Sequence, residues 1–131
     1  MNPVSEDIKD MLEADSSLGL VFGTNLFIGL QPSTPANCTT IYDSGGFSPQ
    51  LTLDGDGGYF YPSIQIRVRS TEYVTGWSLI NMIKTLLHGR GNETWNGTLY
   101  TVIYCSSGPA LLDWDENGRV NFIVNFNVQR R

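Results

Sequence analysis

The chain has 131 residues, of which 40% are hydrophobic and only 16% charged, and its 13 Asp and Glu against 8 Lys and Arg set a formal net charge of −5. That length supports one core and one domain over residues 1–131, and the acidic balance argues against wrapping phosphates, which needs a basic face. Soluble domains average about 25% charged residues, so much of this surface must be neutral polar or covered by something. No apolar run approaches the roughly 18 residues of a membrane span, and "MNPVSEDIKD" has no signal-peptide character. The expectation is a protein made in the cytosol without membrane contact. Cys38 and Cys105 lie far apart with no Cys-x-x-Cys pattern and read as reduced core or strand residues. On that reading the Asn-x-Ser/Thr matches at Asn37, Asn92 and Asn96 carry no glycan.

The first predicted element is a short amphipathic helix. Pro3 suits a first-turn position, and Val4, Ile8, Met11 and Leu12 follow helical spacing, with Glu6, Asp7, Asp10 and Glu13 on the other face. Strands are predicted around Leu26 to Leu30 and over Cys38 to Asp43. The stretch from Ser44 to Gly58, with five glycines and a proline, reads as a loop. In "YPSIQIRVRS" Ile64, Ile66 and Val68 alternate with Gln65, Arg67 and Arg69, which predicts a strand with one buried and one polar face.

Thr71 then caps a helix from about Glu72 to Leu87, ended at Gly89. Tyr73, Trp77, Ile80, Ile83 and Leu87 form its core stripe. Its outward face, Thr75, Ser78, Asn81, Met82 and Thr85, lacks the Lys and Glu of a freely solvated helix. The last third reads as "TLYTVIYC", a short "ALLDWD" and the long "VNFIVNFNV". In the last, Val120, Phe122, Val124, Phe126 and Val128 oppose Asn121, Ile123, Asn125, Asn127 and Gln129. The order α, β, β, β, α, β, β, β implies an α+β fold, a mostly antiparallel, mixed sheet with two helices on one face.

The chemical candidates are few. "DWDENGRVNF" opens like a calcium loop, but Val124 occupies the twelfth position, where a bidentate carboxylate belongs. Asn117-Gly118 between alternating apolar runs signals a type I′ hairpin instead. "DGDGG" could approach a cation, yet it lacks further oxygen ligands. His88, the single histidine, sits at a helix end, a common structural position. There is no Gly-x-Ser-x-Gly and no phosphate loop. These observations imply no catalytic residue, no metal and no cofactor. Arg67 and Arg69 admit two readings: a solvated face pairing with the acidic first helix, or a charge stripe that sets the register of a neighbouring subunit.

"NCTTIYDSGGFSPQ", "YPSIQIRVRS", a helix ending "LLHG", and "DENGRVNFIVNFNV" occur here in the order seen in a family of phage minor capsid proteins, which is itself similar to siphophage tail terminators. The resemblance runs from about Asn37 to Val128. It implies a small α/β sandwich and a structural virion protein, located in the tail or neck and assembled in the host cytoplasm. It implies a ring, usually of six subunits, that caps the tail tube, stops its polymerisation and offers a surface to the head. The implied partners are further copies of the chain, the tail tube protein and a head-completion or neck protein, with DNA passing through the lumen without specific binding.

Physical reasoning places the subunit interface on Thr75, Ser78, Met82 and Thr85, on Asn121, Asn125 and Asn127, and on Arg67 and Arg69, because a ring contact joins two different patches. It places the tube contact on the glycine-rich loop, at Ser44, Phe47, Asp54 and Asp56. The alternatives are another neck component, such as a head-completion or head–tail joining protein, and a calcium- or carbohydrate-binding β-domain prompted by Tyr59, Phe60, Tyr61 and Trp95.

Overall fold

The computed structural model describes residues 1–49 and 58–131. Helix α1 spans Val4–Ala14 and is followed by a short 3₁₀ turn at Ser16–Leu18. Strands β1 (Leu26–Ile28), β2 (Cys38–Phe47) and β3 (Tyr61–Ser70) precede helix α2 (Tyr73–Leu87), and β4 (Glu93–Trp95), β5 (Thr98–Trp114) and β6 (Val120–Arg130) complete the chain. They form one six-stranded sheet in the order β1-β2-β3-β6-β5-β4. Only β1 and β2 run parallel; the other pairs are antiparallel. Both helices pack on the same face, so the α+β arrangement expected from the pattern is the one observed.

Strict alternation explains that arrangement. Ile64, Ile66 and Val68 of β3 lie opposite Phe126, Val124 and Phe122 of β6, and all six are buried. Ile41 of β2 extends the row through its pairing with Ile66. The α1 stripe Val4, Ile8, Met11 and Leu12 covers the β1–β2–β3 side, and Ile80, Ile83 and Leu87 of α2 cover β6 and β5. Each fully buried aliphatic or aromatic side chain of this kind contributes about 1.5–3 kcal/mol.

Several expectations change. Ser44 and Phe47 belong to β2, which runs past the bulge between Ser44 and Phe47 rather than ending at Asp43. "TLYTVIYC" and "ALLDWD" are one strand, β5. The Ser-Ser-Gly-Pro break between them is absorbed as bulges against β6, since Cys105, Ser107 and Ala110 pair with Phe126, Asn125 and Ile123. Gly108 makes this possible: its φ is +86°, and a Cβ there would lie 2.8 Å from the Ile123 carbonyl oxygen. The strand expected in two pieces is therefore single, and β4, which carried no alternation signal, supplies the missing count.

Helix α2 has Glu72 at its N-cap with no side-chain cap, so Thr71 does not cap it. The Ser70 hydroxyl accepts from the Glu72 N–H at 3.1 Å, whereas the Thr71 N–H donates to Asn37. Tyr73 and Trp77 are not core residues either; they are 45% and 40% exposed. Gly76 faces the sheet in their place, and Tyr73 and Trp77 stand edge-on to buried Phe122 with centroids 5.0 and 5.6 Å away. A Cβ on Gly76 would sit 2.8 Å from Ser70 Cβ and 2.9 Å from Phe122 Cε2. A mid-helix glycine costs about 1 kcal/mol in propensity, and here it permits the close seat.

Asp7 is the main departure in α1. The spacing put it outside, yet it is fully buried. Tyr100 Oη and Asn96 Nδ2 both donate to its carboxylate, the latter at 2.6 Å. Arg130 Nη1 stands 3.8 Å away and also donates to the Asn2 carbonyl at 2.8 Å. Burial, then the bond to Asp7, pushes the Tyr100 phenol well above its usual range. This cluster joins the first helix to the last strand and to the β4–β5 turn.

The Asp115–Arg119 hairpin is a turn, but not of type I′, which would need positive φ at Asn117 as well as at Gly118. Only Gly118 has it, at 74°. The Gly118 N–H donates to the Asp115 carbonyl at 3.1 Å, while the Asp115 carboxylate accepts from the N–H groups of Asn117 and Arg119 and from Arg119 Nε. Desolvation raises the Asp115 pKa, but the hydrogen bonds from Arg119 and Asn117 outweigh it and hold the carboxyl below the usual range. A depressed carboxylate stabilises the fold above its unfolded pKa and loses that contribution as pH falls through the folded value.

Three outcomes are expected. Gly76→Ala should lower the urea midpoint, because overpacking of about 1–3 kcal/mol exceeds the propensity gained. Asp7→Ala should cost about 3–5 kcal/mol by leaving Arg130 buried without its partner, against about 1–3 kcal/mol for Tyr100→Phe; equal losses in chemical denaturation would contradict this. Asp115→Asn should melt below the parent at about pH 7 and converge with it only as pH falls through the depressed folded value of the Asp115 carboxyl.

Candidate assembly surfaces

Among the described residues no helix covers the sheet face opposite α1 and α2, although the Pro32–Ala36 segment lies over its far end. Its rows run across strands: Ser63 Oγ donates to Asn127 Oδ1 at 2.6 Å, and Asn127 Nδ2 to Tyr104 Oη at 3.3 Å. In the next row Gln65 Nε2 donates to Asn125 Oδ1 at 3.1 Å, and Asn125 Nδ2 to Ser107 Oγ at 2.9 Å. At the far end Gln31 donates to Asn121 and Asn121 to Asp113, at 3.0 and 2.9 Å. Each of the three Asn thus receives on its oxygen and gives from its nitrogen, so the face is mostly uncharged and largely satisfied by itself, with Arg67 and Asp113 its charged members. Alternation pointed to the Asn residues of β6, but Ser63, Tyr104, Ser107 and Gln31 could be added only once the register was known.

The two arginines differ. Arg67 is half-buried on this face, donating to Gln65 Oε1 at 2.9 Å and lying 4.9 Å from the Tyr42 ring centroid. Arg69 is only 4% exposed. Its guanidinium donates to the carbonyls of Pro32, Pro35 and Ala36 at 2.6, 2.8 and 3.1 Å. A surface charge stripe of both residues is therefore not present; Arg69 anchors a loop. Asn121, at 7% exposure, is likewise an internal link. Since β6 lies inside the strand order, Asn125 and Asn127 occupy the middle of the open face rather than a flank.

The outward residues of α2 do come together. Ser78, Asn81, Met82 and Thr85 line an open groove of about 680 Å³, closed on its other side by Asp15, Ser17 and Leu18. Thr75 belongs to an adjoining cavity of about 120 Å³ with Leu18, Leu20, Thr39 and Leu79. The Thr39 hydroxyl is buried there without a hydrogen-bond partner among the described residues. The Asp15 carboxyl on the groove wall is held below its usual range by the Ser17 hydroxyl and N–H. Further along the sheet, Ser44 and Phe47 are exposed, Phe47 at 71%; Asp54 and Asp56 lie outside the described residues.

Other candidates occupy structural positions. His88 closes α2, and its Nδ1 accepts from the Cys105 N–H at 2.9 Å. Both cysteines are free, and burial pushes the Cys38 thiol up. Among the described residues no three His, Cys, Asp or Glu side chains gather as a metal cage. Tyr59 lies under Arg131, and Trp95 under Arg90 with its Nε1 on Glu93. Among the described residues no helix is long and apolar enough to cross a membrane.

A chain in the virion of a native gene transfer agent particle has a similar fold, with a TM-score of 0.68 and 13% identity over 98% of this chain and 94% of that one. No curated protein sequence matches at a significant level. The family model described as bacteriophage tail terminator protein matches residues 8–131. The chain therefore belongs to the bacteriophage tail terminator family and is a structural protein of the phage tail.

Proposed function

We propose that this protein closes the end of a tail tube as a ring of identical subunits, six in number, and offers the finished end to the head through a neck protein. The observation that carries this reading is the uncovered sheet face. A face of amides and hydroxyls bonded to one another presents few cations to phosphate, and the net charge of −5 discourages adhesion, which suits a channel through which DNA slides. Asn125, Asn127 and Gln65 are accordingly assigned to the channel rather than to the subunit contact.

A heterologous ring contact joins two different patches. The groove of Ser78, Met82 and Thr85, with Thr75 in the cavity beside it, is one. The outer edge of β2 beyond Ile41, which has no strand partner among the described residues, is the other. Unpaired N–H and C=O groups along such an edge favour pairing. Ser44 and Phe47, on the arm that β2 extends, are assigned to the tube, and the tube end templates the ring by presenting several sites at once. The work is assembly without catalysis, carried out in the host cytoplasm and retained in the virion.

Ser78→Glu and Thr85→Glu should melt like the parent yet form no rings on tube ends, scored by electron microscopy. Rings that survive both charges would remove the groove from the interface. A phage lacking the gene should make full heads beside tails of uncontrolled length. Tails of normal length with only head attachment lost would instead assign the protein to head–tail joining.

A further inference from the structure

The segment between β1 and β2, Leu30 to Asn37, carries no charged residue and no regular structure, yet two arginines are committed to it. Arg69 Nη2 donates to the carbonyls of Pro32 and Pro35 at 2.6 and 2.8 Å, and its Nε to that of Ala36 at 3.1 Å. Arg119 Nη1 donates to the Ser33 carbonyl at 2.8 Å. The ends are tied as well: Gln31 Nε2 donates to Asn121 Oδ1, and Asn37 Oδ1 accepts from the Thr71 N–H. Bonds from a guanidinium are charge-assisted, and they offset the entropy lost when an irregular segment is fixed.

The strand register places this segment. Arg69 pairs with Cys38 of β2 and with Asn121 of β6, so its side chain belongs to the amide face and rises from it beneath the segment. Leu30 to Asn37 therefore lies on the face that Gln65, Asn125 and Asn127 share, at the end near Asn121. Its carbonyls turn down to the guanidinium groups, and Ser33, Thr34 and Pro35 are exposed. Arg69 itself is 4% exposed, and Arg119 also holds Asp115. Both cations are thus engaged within the chain, and what the segment presents outward is neutral.

We infer that this segment is a fixed, uncharged collar at one mouth of the channel, where the hydroxyls of Ser33 and Thr34 meet the sugar–phosphate backbone of duplex DNA. This rests on the assignment of the open sheet face to the channel. A layer of chain laid on that face stands further into the channel than the amides do, so the collar is the level at which a passing duplex is met first. Hydroxyls reach phosphate oxygens singly and carry no sequence information. They release none of the counterions that a lysine or arginine would displace. Contact of that kind guides a duplex without holding it.

The test uses particles assembled with the full chain carrying the photo-crosslinker p-benzoylphenylalanine in place of Ser33, Thr34, Tyr104 or Ala14. Tyr104 is exposed on the open face, and Ala14 ends α1 on the helix side. Irradiation of DNA-filled particles should attach DNA at Ser33 and Thr34, more weakly at Tyr104, and not at Ala14. Attachment at Tyr104 without any at Ser33 or Thr34 overturns the collar and leaves the channel assignment standing. Attachment at Ala14 and at none of the face positions overturns both. A polypeptide joined at Ser33 and Thr34 in place of DNA also overturns the collar, assigning the segment to a protein partner. Arg69→Lys keeps the charge but cannot fork to three carbonyls. It should lower attachment at Ser33 and leave that at Tyr104 unchanged; undiminished attachment at Ser33 would overturn the fixed geometry. Ser33→Trp and Thr34→Trp should still give rings on tube ends by electron microscopy yet slow or block DNA release in vitro, and normal release from both would overturn the proposal.

Discussion

Strand β6 carries the constraint on which the rest of the molecule depends. Its side chains alternate between Val120, Phe122, Val124, Phe126 and Val128 on one face and Asn121, Asn125 and Asn127 on the other. The apolar row must be covered, and in the centre of a sheet only the two helices can do so. The amide row must be satisfied, since a buried polar group left unpaired costs about 1–3 kcal/mol. It finds partners in the flanking strands β3 and β5, which binds three strands together by side chains as well as by backbone.

The same economy governs the charges. Asp7 and Arg130 are withdrawn into a cluster with Tyr100, and Arg69 is spent on the carbonyls of the Pro32–Ala36 segment. These contacts tie distant parts of the chain: the first helix to the last strand, and the loop after β1 to β3. Their effect on the surface is subtraction. With most cations engaged elsewhere, the open sheet face carries few of them beyond Arg67, and the composition sets a net charge of −5.

The apolar surface that remains is therefore informative. A monomer that spends so many polar groups on satisfying itself nevertheless leaves Trp114, Tyr73 and Trp77 open at one end of α2 and a groove along its side. The two features lie on one helix but differ in chemistry. The groove is lined along α2 by small or uncharged side chains, with Asp15 on its far wall, as a contact between like subunits can be. The aromatic end is apolar, with Tyr73 stacked on Trp114.

Much of this was legible in the residues alone. The periods of β3, β6 and α1 set the apolar rows, because two- and 3.6-residue repeats encode which side of an element meets the core, and those rows imply a sheet with helices on one face. The uncharged outward face of α2 was equally readable. What depends on a third element was not. Asp7 has an exposed residue's spacing, and only the arrival of Tyr100 and Arg130 buries it. Tyr73 and Trp77 have a core stripe's spacing, yet Gly76 brings the helix so close to Phe122 that the large rings must lie at its margin. Ser106 to Pro109 have a loop's composition, and the ladder of β6 holds them in a strand. Local pattern is written along one chain segment, whereas burial, register and pairing are decided between segments, and those contacts exist only once the sheet has closed around its core.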